Sequence, residues 1–241
     1  MARRSRQLSL DLREKSRWGG RRAGAGRKAG ADRRDAHRRR SPLDRKHPCH
    51  VTLKVRRGLP SLRSRRLVSE LERSFRAAAE RGRFRLVHYS IQSDHVHAIV
   101  EAESGRHLAS GMKAIGARLA RAVQRVFRVR GVVLADRFHR HVLRTPSEVR
   151  NAIAYVLLNA RRHAAKLGRR VDPRGAIDPA SSGRWFAEWR SAPARDAPAV
   201  AKPRTWLLAS GWRRAGRIDP TEVPGRQRKP APVGRVLRRV G

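Results

Sequence analysis

His95-Val96-His97 places two imidazoles either side of one apolar residue, at the start of a segment that reads as a strand. Strand side chains alternate between faces, so His95 and His97 share one face and Val96 lies on the other. Two imidazoles side by side on a rigid strand make half of a metal site. Tyr155 and Asn159 offer the other half. They stand at i and i+4 in a segment that reads as a helix, so they are neighbours on one helix face. A divalent cation held by both imidazoles and the Asn159 carbonyl oxygen could bind a phosphodiester and neutralise its developing charge. The Tyr155 phenol could then attack the phosphorus and form a phosphotyrosine, splitting one hard step into two easier ones. That chemistry cuts a nucleic-acid strand and keeps the bond energy for rejoining it. A phenol is a weak acid, and Arg162 or His163, about one helical turn past Asn159, could help it ionise. His139-Arg140-His141 is a second triplet of the same form, so spacing alone is a weak signal. The first triplet is distinguished by the apolar face Val96, Ala98, Val100 that continues from it. Of the two tyrosines, Tyr89 lies mid-strand and reads as core.

The elements that must position these groups follow from periodicity. His50 to Val55 alternates and reads as a strand, and Gly58-Leu59-Pro60 as a turn. Ser61 to Arg81 reads as a helix with Leu62, Leu67, Leu71, Phe75 and Ala78 inward and Gly82 just past its end. Phe84 to Gln92 and His95 to Ala102 read as a hairpin joined by Ser93-Asp94. Leu108 to Arg128 reads as a second helix, and His139 to Arg144 as a further strand. Thr145-Pro146-Ser147-Glu148 opens a third helix with a capping box, running to about Leu167 with Val149, Ile153, Val156, Leu157, Ala160 and Ala164 as its apolar stripe. The order β-α-β-β-α-β-α predicts an α+β fold: a ferredoxin-like split βαβ core, an antiparallel sheet with helices, plus one extra helix that carries the tyrosine.

Three regions are expected: a basic Arg/Gly-rich tail over 1–46, a catalytic domain over 47–168, and a basic extension over 169–241. The tail buries too little apolar surface to offset its ordering entropy. The extension holds two aromatic islands, Trp185 to Trp189 and Trp206 to Trp212, which read as core caps or as surfaces on which bases stack. Lys and Arg number 59 against 19 Asp and Glu, a formal net charge of +40. Nucleic acid is the natural partner for such a field. Candidate phosphate contacts are Arg21, Arg22, Arg27 and Lys28 in the tail, Arg161 and Arg162 on the third helix, and Arg213 and Arg214 in the extension. No apolar run approaches the ~20 residues of a membrane span, so no membrane partner is expected. One cysteine, Cys49, excludes an intrachain disulfide and a cysteine-based zinc site, and points to a reducing compartment: the cytoplasm, beside the nucleoid.

Ser93-Asp94-His95-Val96-His97 and Tyr155-Val156-Leu157-Leu158-Asn159 resemble the motifs of the IS200/IS605-type Y1 transposases of the HUH endonuclease superfamily, in particular the REP-associated tyrosine transposase branch. The resemblance spans roughly 47–168 and includes the order of elements. It implies that His95, His97 and Asn159 hold Mg²⁺ or Mn²⁺. It implies that Tyr155 takes the 5′ phosphate of cleaved single-stranded DNA, with imperfect hairpins as substrates and a monomer or homodimer as the active form. Two positions depart from the usual pattern. Ser93-Asp94 stands where many relatives have Pro-Asn, and Asn159-Ala160 where many have Asn-Pro; neither removes a reacting group. Asp94 could orient a histidine or simply serve the turn.

The competing reading is a catalytically idle, basic nucleic-acid-binding protein on the same scaffold. RNA-binding sheets carry aromatic rings on their open face, whereas here that position holds imidazoles. A Rep- or relaxase-like nicking enzyme would need a third histidine ligand that is not evident. The Gly- and Arg-rich arm of the tail reads either as a solvated linker or as a sequence-independent phosphate contact. Deleting 1–46 is therefore expected to weaken single-strand binding and flatten its salt dependence, at a log–log slope of about −0.7 per phosphate, while leaving any cleavage position unchanged. Footprinting and cleavage mapping of the truncated chain check this; a moved cleavage site would show that the tail reads sequence.

Overall fold

The structure, a computed structural model, describes residues 41–189 and 197–225. The basic arm with Arg21, Arg22, Arg27 and Lys28 lies outside the described residues. The elements run β1 (Cys49–Lys54), α1 (Arg65–Arg76), β2 (Glu80–Arg81), β3 (Phe84–Ile91), β4 (His95–Ala102), α2 (Gly105–Phe127), β5 (His139–Val142), α3 (Pro146–Leu157), α4 (Asn159–Lys166) and α5 (Trp206–Ala209). The sheet order is β2-β3-β4-β1-β5, with β4 hydrogen-bonded antiparallel to both β3 and β1. This is the expected α+β split βαβ arrangement, with the short strand β2 added at one edge.

Both faces of the sheet are covered, which is why all eight residues of β3 are buried. On one face Val51, Leu53, Val96, Ala98 and Val100 meet α1 and α2 through Leu67, Leu71, Phe75, Leu108, Met112, Ile115 and Leu119. On the other, Val87 and Ile99 meet α3 through Val149, Ile153, Val156 and Leu157, closed over by Phe186, Trp189, Leu207, Leu208 and Trp212. Both aromatic islands therefore supply buried rings, with Trp212 only 1% exposed, whereas Trp206 remains 51% exposed. The C-terminal segment also covers the free edge of β3: Ile91 N donates to Ala180 O at 2.8 Å and Ala201 N to Leu86 O at 2.8 Å. An uncovered edge would present unpaired amides to other chains.

Several boundaries differ from expectation, among them the start of the second helix, which Ser104 caps so that it begins at Gly105. The first helix begins later, because the Ser64 hydroxyl accepts from Leu67 N at 3.3 Å and caps it there. It also ends earlier, at Arg76, since Glu80 and Arg81 pair with β3 across Gly82, whose φ of 54° suits the turn. The third helix is interrupted at Leu158 (φ −107°, ψ 19°), so it forms α3 and α4 rather than one rod. Its start is as predicted: Thr145 Oγ1 accepts from Glu148 N at 3.2 Å and Glu148 accepts from Thr145 N at 3.1 Å.

Ile153 is fully buried on α3, where it seats the helix on the sheet, and Val132 is 69% exposed. Ile153→Ala is expected to cost about 2–5 kcal/mol in denaturant unfolding. Val132→Ala should change stability by less than about 0.5 kcal/mol.

Candidate active site

β4 sets the two histidines. His97 pairs in register with Thr52 on β1 and Ser90 on β3, and His95 with Lys54 on β1. Because Val96 points into the first core, both imidazoles face α3. His97 is 6% exposed and His95 is half-buried. Their Nε2 atoms lie 2.9 Å apart. Asp94 accepts from His95 Nδ1 at 2.7 Å, which leaves the His95 Nε2 lone pair aimed at His97. Asp94 thus both closes the hairpin turn and touches the His95 ring.

 The Thr52 hydroxyl lies 3.1 Å from His97 Nδ1, and His50 Nε2 lies 3.2 Å from the same atom. Thr52 can donate to that nitrogen or accept from it, so it steers the ring in either tautomer.

α3 brings the phenol to the same point. Tyr155 Oη is 3.4 Å from His97 Nε2, and the two rings meet edge to face with centroids 5.0 Å apart. His50, itself 5.1 Å from the His97 ring, also meets the Tyr155 ring edge to face at 5.6 Å. The Arg162 guanidinium lies 5.3 Å from the ring centroid and donates to Pro224 O at 3.0 Å.

The electrostatics favour neutral imidazoles. Burial, then the adjacent His95, His50 and His163, push His97 down to about 3, against the pull of Asp94. Burial, helped by His141 and His139, pushes His50 down to about 4. Burial also lowers His163, as does neighbouring His95. A neutral ring keeps the lone pair that a metal needs.

Asn159 departs from expectation. It reads from sequence as a polar residue off the apolar stripe, yet it is fully buried. Neither its Oδ1 nor its Nδ2 has a hydrogen-bond partner. Buried amides are nearly always bonded, so this orphaned pair is the feature that fits a metal ligand. The imidazole spacing fits as well: two ligands about 2.1 Å from one octahedral ion, at right angles, lie about 3.0 Å apart. Among the described residues, no three His, Cys, Asp or Glu side chains form a metal cage. The candidate donors are two imidazoles and an amide.

The arginines divide. Arg161 is buried, and its guanidinium donates to the carbonyl oxygens of Asp172 at 2.7 Å, Thr221 at 2.9 Å and Glu222 at 3.2 Å. Those carbonyls take three of its five N–H donors. Arg213 pairs with Glu188, whereas Arg214 is exposed over the Trp206 ring. His50 and Thr52 were not singled out from sequence. Their face was legible in the alternation of His50, Thr52 and Lys54 with Val51, Leu53 and Val55; their pairing with β4 was not.

The family model described as "Transposase IS200 like" matches residues 46–140. That span includes both histidines and ends before α3, so Tyr155 and Asn159 lie beyond it. A search of the curated proteins found no match. Similar solved structures include a REP-associated tyrosine transposase bound to a REP hairpin, at 18% identity and a TM-score of 0.42, covering 53% of this chain and 74% of that chain. They also include a bacterial tRNA(His) guanylyltransferase-like protein in complex with ATP, at 12% identity and 0.40, covering 54% and 64%. Its complex with GTP matches at 14% identity and 0.41, covering 54% and 69%. Likenesses this distant say nothing about activity. Over residues 46–140, with the histidine strand near the middle, this chain is similar to the IS200-like transposases.

Proposed function

We propose that the protein is a metal-dependent transesterase that cleaves and rejoins single-stranded DNA, with Tyr155 as nucleophile. The observation that carries this reading is that His97 Nε2 lies 3.4 Å from Tyr155 Oη and 2.9 Å from His95 Nε2, joining a helix and a strand far apart in sequence. A Mg²⁺ or Mn²⁺ ion held by His95, His97 and Asn159 would draw charge from the non-bridging oxygens of the scissile phosphate. Tyr155 Oη loses its proton and bonds the phosphorus. The P–O3′ bond breaks, and the 3′ oxygen leaves and gains a proton. The product is a 5′-phosphotyrosine and a free 3′-hydroxyl, and attack by such a hydroxyl reverses the step without ATP. Arg162 packs over the Tyr155 ring, Thr52 and Asp94 orient the imidazoles, and the buried face of α3 holds the phenol against them.

The net charge of +40 supports a polyanionic substrate. The similar transposase structure was solved with a REP hairpin, and we propose hairpin-bearing single strands as substrates here, acted on in the cytoplasm. The idle-binder reading accounts for the charge but offers no reason for a phenol against two imidazoles.

Labelled single-stranded hairpins from the DNA flanking the gene, mixed with the protein and Mn²⁺, are expected to yield a covalent adduct on a denaturing gel. Tyr155→Phe should remove the adduct and keep hairpin affinity within about twofold, since one hydroxyl is lost and the ring remains. An adduct that persists in the variant would rule out Tyr155. Tight binding by the unaltered protein with no adduct on any hairpin would favour the idle binder.

A further inference from the structure

A cavity of about 830 Å³ lies at the opposite end of β4 from the histidines. Its wall is built from the residues before β1, the end of β4, the start of α3 and the α5 segment. It is an open cleft whose volume lies within the range of ligand sites. Arg45, Lys46, Arg144 and Arg214 line it, are exposed, and have no ion-pair partner among the described residues. The acids in the wall are already engaged. Glu101 is buried and accepts from Arg204 N, Thr205 N and Thr205 Oγ1, and Glu103 pairs with Arg83. The cavity is therefore strongly positive.

Trp206 stands in the same wall, 51% exposed. Its ring packs on Gly211, where an added Cβ would come within 2.7 Å of it, so the indole is held in place from below. The Arg214 guanidinium lies 4.9 Å from the ring centroid. The other large rings of the C-terminal segment are wholly or partly buried, which sets Trp206 apart from them. An exposed ring among unpaired arginines combines the two things a single strand needs: a flat surface for a base and cations for the flanking phosphates.

Two rods join this cavity to the active site. From Pro146 to Tyr155 along α3 is about 14 Å at the helical rise. From Ala102 to His97 along β4 is about 17 Å at the strand rise. The cavity therefore lies several nucleotides from the reacting phosphate, at about 3.4 Å per stacked step.

We propose that this cavity holds an unpaired base of the single-stranded DNA substrate on Trp206 and Arg214, with the adjoining phosphates on Arg45 and Arg144. The choice of DNA rests on the transesterase reading, whereas the site itself rests on the charge and the ring. It would anchor the strand away from the cut and fix how far along the phosphate must enter.

The test is equilibrium binding by fluorescence anisotropy, using the full chain and three probes: labelled dT12, a 12-base-pair duplex and rU12. Trp206→Ala is expected to weaken dT12 binding about tenfold, within the range for loss of one base stack, and to change duplex binding less than twofold. The double variant Arg45→Ala, Arg144→Ala alters only exposed side chains. It should reduce the log–log salt slope for dT12 by about 1.4, two phosphates at about 0.7 each. Unchanged dT12 binding in both variants would overturn the proposal. So would equal losses on duplex and single strand, which would mean a charge patch without a base site. Tighter binding of rU12 than dT12 would overturn the assignment to DNA. Adduct formation on hairpins is a separate readout: its absence from the unaltered protein would remove the transesterase reading and leave the dT12 result standing.

Discussion

The site depends on β4 being hydrogen-bonded on both sides while its two faces meet different surroundings. Val96, Ala98 and Val100 are locked into the core beneath α1 and α2. The backbone pairs with β1 and β3 residue by residue. With one face and both edges fixed, His95 and His97 have no freedom to leave the other face. A one-residue slip of β4 would bury the imidazoles among leucines and turn Val96 and Ala98 toward the tyrosine. The apolar residue between the histidines is thus as much a part of the site as the rings.

The phenol reaches that point because α3 is gripped from both sides. Val149, Ile153, Val156 and Leu157 seat it on the sheet, and Trp212, Leu207 and Leu208 cover it from outside. Arginines tie the helix to the returning C-terminal chain. Arg150 donates to Arg217 O at 2.9 Å and pairs with Glu222, and Arg161 binds three carbonyls further along. Near the histidine end, Arg63 forms a two-pronged pair with Asp178 at 2.8 and 2.9 Å and also donates to Ile91 O at 2.8 Å. Part of the basic composition is therefore spent on joining the C-terminal segment to the core, and only the rest is offered to a polyanion.

Much of the scaffold was legible in the sequence because it is written in local periodicity. The alternation at His95–Ala102 and the capping box at Thr145–Glu148 each specify one element without outside help. What was hidden depends on contacts between distant elements. Nothing near Leu158 signals the interruption that separates α4 from α3. A spacing of i and i+4 could not show that Asn159 would be fully buried while Tyr155 stays half-buried. Arg161 reads as a surface cation until the carbonyls of residues 172, 221 and 222 arrive beside it. The role of Thr52 appears only once β1 is placed in register with β4.

The central claim is that His95, His97 and Asn159 form one cation site against Tyr155. The most direct measurement is anomalous scattering from crystals of the protein grown with Mn²⁺. The expected result is a single strong peak bonded to both Nε2 atoms and to the Asn159 side-chain oxygen, with Tyr155 Oη facing it. A peak elsewhere, or none while the two imidazoles remain hydrogen-bonded to each other, would contradict the claim.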